Sequence, residues 1–169
     1  QSIINYREAG GHFNRKEDFA KSYVVSDSIY KRLENFIKIN KIDINHADSA
    51  DFDRLPGIGP YFAAKLIEYR NKLGGYSHPE QIMDIHNFGQ ERYDNIKDLI
   101  ELSEPKAFMI WSLPEDSLAM HPYLDRHAAH GIVIYRENNP MDKWDLNRLK
   151  DAGVISVSQF EKLSKCNIR

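Results

Sequence analysis

The chain repeats itself. "INYREAGGHF" (Ile4–Phe13) returns as "IEYRNKLGGY" (Ile67–Tyr76) and more loosely as "VIYRENNPMDKW" (Val133–Trp144), which sets Tyr6-Arg7, Tyr69-Arg70 and Tyr135-Arg136 63 and 66 residues apart. Self-similarity at a fixed spacing means stacked supersecondary units, so it constrains the fold before any single motif does. The stretches after each Tyr-Arg pair also match: "EDFAKSYVVSDSIYKRLENFI", "EQIMDIHNFGQERYDNIKDLI" and "DLNRLKDAGVISVSQFEKL". Ahead of the pairs, "ADFDRLPGIGPYFAAKLIEYR" lies over "DSLAMHPYLDRHAAHGIVIYR", matching Phe52 to Leu118, Pro56 to Pro122, Ala63 to Ala129 and Leu66 to Ile132. The expected organisation is the C-terminal half of a first unit (1–41), a second unit (42–104) and a third, degenerate one (105–169). The front half of the first unit is expected upstream of Gln1. A membrane anchor or signal there would place the protein outside the cytoplasm, and the chain itself leaves its location open.

The local signals are helical. Asp48 or Ser49 can cap a short helix carrying Phe52 and Leu55, and Pro60 suits a first helical turn, where its missing N–H costs nothing. Phe62, Ala63, Leu66, Ile67 and Tyr69 follow at helical spacing until Gly74 and Gly75 stop the helix. Ser77 with Glu80, Ser112 with Glu115 and Ser156 with Gln159 carry capping-box spacing. Alternating strand patterns are lacking, so the expected fold class is all-α.

"PGIG" (Pro56–Gly59) joins two of these helices. Two glycines permit positive φ and close backbone approach, and the next helix begins with N–H groups that have no intrahelical acceptor. Such amides, with the helix dipole, form an anion site that needs no basic side chain. Gly57, Ile58 and Gly59 are the expected amide donors, Ile58 also plugs its side chain between the helices, and Lys65 adds charge. A plain turn between helices is the alternative use of the same loop.

The extended pattern is more specific. Asn45, Ala47, Phe52, Leu55, Pro56, Gly57, Ile58, Gly59, Ala63, Tyr69 and Arg70, with Leu66 at an isoleucine position, resemble the helix-hairpin-helix family, in particular the tandem ComEA-like modules of bacterial competence DNA receptors. The resemblance implies small helical domains with two hairpins per unit that grip duplex DNA by its phosphates without reading sequence, and so a DNA-uptake role. The other hairpins depart from the pattern: "HNFG" puts Asn87 at a glycine position, "YVVS" (Tyr23–Ser26) has no glycine, and "PYLD" puts Tyr123 and Asp125 where Gly57 and Gly59 stand, with "AGVIS" following late. An aspartate beside a phosphate is repulsive. Tyr61 and Phe62, after the second glycine, are expected to be buried against a neighbouring helix or a partner.

Charge adds a second consideration. Formal net charge is −2, and residues 42–104 carry six Lys/Arg against twelve Asp/Glu. Phosphate neutralisation supplies most non-specific DNA affinity, which favours a competing reading as a protein–protein interaction or scaffold module; an extrinsic photosystem protein with a fold of this type need not bind DNA. Basic residues in the first unit (Arg15, Lys16, Lys21, Lys31, Arg32, Lys38, Lys41) read as a solvated face. Each Tyr-Arg pair is expected to place its tyrosine in the core and its arginine at the helix C-terminus, and Trp111 and Trp144 are expected in the core. His127 and His130 lack a third ligand, so no metal is expected. No nucleophile–base pair stands out, so neither an enzyme nor a cofactor is expected. The expected partners are double-stranded DNA or a protein, with no small-molecule substrate and no membrane segment in this chain. The single cysteine, Cys166, excludes an internal disulfide.

Overall fold

The computed structural model describes residues 2–9, 11, 13–22 and 25–169, except for the side chains of Ser2 and Arg7. Tyr23 and Val24 of the "YVVS" loop, with Gln1, Gly10 and His12, lie outside the described residues. The first segment contributes α1 (Ser2–Glu8), α2 (Lys16–Ala20) and α3 (Asp27–Leu33). The middle segment runs β1 (Ile42–Asp43), α4 (Ser49–Asp53), α5 (Pro60–Leu73), a 3-10 turn (Pro79–Asp84), α6 (Gln90–Ile96) and β2 (Ile100–Glu101). The last has α7 (Glu115–Leu118), α8 (Arg126–Asn138), a 3-10 turn (Met141–Lys143), α9 (Leu146–Asp151) and α10 (Val157–Leu163).

The fold is mainly α, as expected, with one short strand pairing besides. β1 pairs in parallel with β2, Ile42 opposite Ile100, through Ile42 N–H to the Leu99 carbonyl at 2.8 Å and Ile44 N–H to the Glu101 carbonyl at 3.1 Å. In the last segment Phe108 forms a parallel bridge with Ile168. Two residues are too few to show the alternation by which strands are recognised.

Within the middle segment Asp48 caps α4, accepting the Asp51 N–H at 2.8 Å while Asp51 accepts the Asp48 N–H at 3.2 Å. Phe52 and Leu55 then enter the core, and α5 buries Ala63, Leu66 and Leu73. Gly74, at φ +79°, ends α5 in the left-handed conformation that glycine adopts without a Cβ clash. Tyr76 is fully buried and donates to the Leu66 carbonyl at 2.8 Å, so its hydroxyl is satisfied. Asn45 ties three strands of backbone together: its amide donates to the Tyr76 and Ser103 carbonyls at 2.9 and 2.7 Å, and its oxygen accepts the Tyr76 N–H at 2.7 Å. In the next turn Gln81 rather than Glu80 does the capping, its side-chain oxygen accepting the Ser77 and His78 N–H groups at 2.6 and 3.2 Å; Ser156 and Gln159 form their box as spaced. α7 is capped by Pro114, and Ser112 turns its hydroxyl to the Met109 carbonyl instead.

Arg70 and Arg136 do not serve their own helix ends. Arg70 donates to the Ile44 and Ala47 carbonyls at 3.1 and 2.7 Å, and Arg136 donates to the Leu113 carbonyl at 2.6 Å. Each thereby ties its long helix to the chain leading into the preceding short one. Trp111 and Trp144 are half-buried and stack on each other, centroids 5.8 Å apart, instead of filling the core.

One core runs through the middle and last segments, from Ile44, Phe52, Tyr76 and Phe88 to Ile132, Leu149 and Leu163. The seam between them is polar: Gln81 donates to the Tyr123 hydroxyl at 3.2 Å, Tyr123 donates to Asp84 at 2.7 Å, and Lys162 reaches Asp84 at 3.2 Å. Burial of Tyr123 beside Asp84 pushes its phenol far above the usual tyrosine range. The first segment docks through Arg15, whose guanidinium meets Asp98 twice at 2.8 Å and the Asn95 carbonyl at 2.6 Å. Its apolar positions stay more open than their counterparts 63 residues on. Leu33 and Phe36 are exposed, Phe36 at 79%, while Ile96 and Leu99 are buried.

Candidate nucleic-acid interface

The loop from Leu55 to Gly59 turns the chain from α4 to α5. Gly57 takes φ +77°, and Gly59 is the extended N-cap of α5. Ile58 is 3% exposed and inserts beneath the loop, while its N–H donates to the Leu55 carbonyl at 3.1 Å. That amide is therefore spent inside the turn, and Ile58 serves the loop through its side chain instead. The N–H groups of Gly57, Gly59, Tyr61 and Phe62 have no acceptor among the described residues. They crowd one helix N-terminus, where the dipole favours negative charge.

The "HNFG" loop repeats the construction despite its missing glycine. Asn87 takes φ +61°, a conformation asparagine tolerates better than other side chains. Phe88 is buried with its N–H on the Ile85 carbonyl at 3.0 Å, and Gly89 N-caps α6. The Gly89, Gln90 and Glu91 N–H groups also lack an acceptor among the described residues. A Cβ added to Gly57, Gly59 or Gly89 would meet nothing within 4 Å, so both loops are open on the glycine side.

Arg92 joins the two loops. Its Nε donates to the Gly57 carbonyl at 3.1 Å, and its Nη1 donates to the Asn87 carbonyl at 3.1 Å and to the Phe88 carbonyl. The guanidinium lies 4.0 Å above the Phe62 ring, and Phe62 meets Phe88 edge-on at 5.5 Å and 86°. Phe62 is thus half-buried as expected of it, whereas Tyr61 is 61% exposed beside the open loop. Lys65 does not turn toward the loop: its ammonium meets Glu68 at 2.7 Å, and Lys72 meets the other Glu68 oxygen at 2.7 Å. Hydrogen bonds from both lysines pull the Glu68 carboxyl down to about 2. An exposed pair of this kind is weak and exchanges with solvent.

The last segment has the same frame with its openings filled. Leu124 and Ile155 are buried at the loop centres, and Leu124 N–H donates to the His121 carbonyl at 3.0 Å. Asp125 stands where Gly59 stands, and its carboxylate accepts the Ala128 N–H at 2.8 Å. Ser156 accepts the Gln159 N–H at 3.2 Å, and the Gln159 amide reaches Asp125 at 3.3 Å. Tyr123, at the Gly57 position, is committed to the seam. His130 faces Glu115 at 2.8 Å, with His127 exposed nearby.

The family description "Helix-hairpin-helix motif" matches residues 38–101. An uncharacterized protein of Haemophilus influenzae is 26% identical over 78 residues, which is 46% of this chain and 70% of that protein. No solved structure matches. The matched region begins just before β1 and ends on β2, enclosing both glycine-capped loops. Residues 38–101 carry a helix-hairpin-helix motif.

Proposed function

We propose that this is a non-enzymatic helix-hairpin-helix protein that binds duplex DNA without sequence preference, through backbone amides of its 42–104 unit. Motifs of this kind are commonly found in DNA-binding proteins. The observation that carries the reading is the pair of open, glycine-capped helix N-termini at Gly59 and Gly89, placed side by side. Gly57 and Gly59 offer N–H groups to one phosphate, and Gly89 with Gln90 offers them to a second. Lys65 reaches the backbone by leaving Glu68. Residues 105–169 form a ComEA-like companion unit whose cradles Asp125 and Ser156 keep closed, and residues 1–41 form half of another. Such tandem units suit a DNA-uptake role.

The acidity of residues 42–104 is less opposed to this than its count suggests, because Asp98 and Asp84 are paired with cations from outside that stretch, Arg15 and Lys162. The test is a fluorescence-anisotropy titration with random-sequence duplex at low and physiological salt. Binding that weakens with salt and is lost in Gly59→Asp supports the reading; no binding at low salt overturns it. A protein-interaction role is favoured by the exposed Tyr61, and no duplex binding at low salt beside loss of a protein partner in Tyr61→Ala would select it.

A further inference from the structure

We infer that Arg92 is the positioning residue that holds the two cradles in one fixed relation, an inference that rests on the DNA-binding reading above. A phosphate backbone presents its charges at set spacings, so two amide cradles reinforce each other only if both reach their phosphates together. Here the relation between the loops passes through one side chain. Arg92 starts from α6 and presents a planar fork of donors. It spends that fork on carbonyls of both loops, Gly57 on one side and Asn87 and Phe88 on the other.

The hydrogen bonds also orient amides. A trans peptide points its N–H opposite its carbonyl, so holding the Phe88 carbonyl against Arg92 turns the Gly89 N–H away from the guanidinium. The Phe62 ring beneath, at 4.0 Å, fixes the plane of the fork from the α5 side. Phe62 and Arg92 each lie four residues beyond the buried residue of their own loop, Ile58 or Phe88, so the lock is built across the local pseudo-symmetry of the motif. Gln159 stands four residues beyond Ile155 and links the loops of the last segment to each other through Asp125 at 3.3 Å. There the link closes a cradle; Arg92 makes the link from behind and leaves Gly57, Gly59 and Gly89 uncovered.

Two measurements on Arg92→Gln and Arg92→Lys test this. In free protein, hydrogen exchange is read at the Ile58 and Phe88 amides, which are bonded within their loops. Both should exchange about tenfold faster in either variant, since lysine keeps the charge but not the fork, while the Leu163 amide in α10 should keep its wild-type rate. Duplex affinity should fall about tenfold in both variants with an unchanged slope of log affinity against log salt, as expected of lost geometry rather than a lost phosphate contact. A slope reduced by about one would make Arg92 a direct phosphate ligand and overturn the inference. Full binding by the lysine variant, or unchanged exchange at Ile58 and Phe88, would overturn it too. Wild-type protein that fails to bind duplex overturns the DNA reading, and the exchange rates then decide the lock by themselves.

Discussion

Asp125 is the N-cap of α8 as Gly59 is of α5, and its carboxylate accepts the Ala128 N–H where Gly59 leaves its helix N-terminus without a side-chain cap. The same backbone frame is thus finished in two ways. In α8 the internal carboxylate takes the Ala128 N–H and sets a negative charge at the helix N-terminus, while the glycine leaves the matching Phe62 N–H of α5 for an external anion.

Reversing that choice should move binding and stability in opposite directions. Gly59→Asp supplies α5 with a side-chain cap, so its unfolding free energy should hold or rise by on the order of a few tenths of a kcal/mol. Duplex affinity should nevertheless vanish, because the new carboxylate occupies the cradle. Urea unfolding and anisotropy on the same preparation check both halves; a variant that unfolds and fails to bind would not separate them.

Asp125→Gly is the complementary change. It should cost less stability than Asp125→Ala, which loses the cap outright at about 1 kcal/mol. It should also raise duplex affinity, by uncovering α8 amides and removing a like charge. An affinity equal to wild type would mean that Tyr123 keeps the last segment closed regardless of residue 125.

The left-handed positions allow a sharper test of the loops. Gly57→Ala places a Cβ at φ +77° and should cost about 1–2 kcal/mol, although the space around it is empty. Asn87→Gly, at φ +61°, should be close to neutral in unfolding free energy. Thermal or urea midpoints decide it, and equal costs at the two sites would contradict the backbone assignment.

Acid should destabilise the last segment through His121. Burial lowers its pKa from 6.5 to about 4, with the Tyr123 N–H donating to its Nδ1 at 3.2 Å. The unfolded chain takes up this proton first, so stability is fully present above about pH 6.5 and falls as the pH drops toward 4. Over that window the loss is about 3 kcal/mol, at 1.36 kcal/mol for each unit of difference. His121→Leu, the residue found at the matching Leu55, should flatten this part of the pH–stability curve; an unchanged curve would place the acid sensitivity elsewhere.

Helices, turns and buried loop residues were legible because each rests on nearby residues: Pro60 starts a helix, Gly74 ends one, and Ile58 is apolar between two glycines. The rest depended on segments meeting in space. Arg92 gives no signal in its own helix, since its partners Gly57 and Phe62 lie thirty or more residues earlier and belong to a different loop. Asn87 looked like a broken glycine position, yet asparagine meets the same backbone need. Asp125 read as a charge facing phosphate, whereas its nearest partner is the Ala128 N–H of its own helix. Arg70 and Arg136 found carbonyls of the chain leading into the preceding short helix within reach before those of their own helix ends.

The parallel pairing of β1 with β2 has a mechanical consequence. The chain enters residues 42–101 along one strand and leaves along its neighbour in the same direction. Tension applied at the two ends therefore slides the strands past each other and strains the Ile42–Leu99 and Ile44–Glu101 bonds at the same moment, instead of opening them in turn. In a single-molecule pulling experiment this unit should yield in one step, as a clasp loaded in shear.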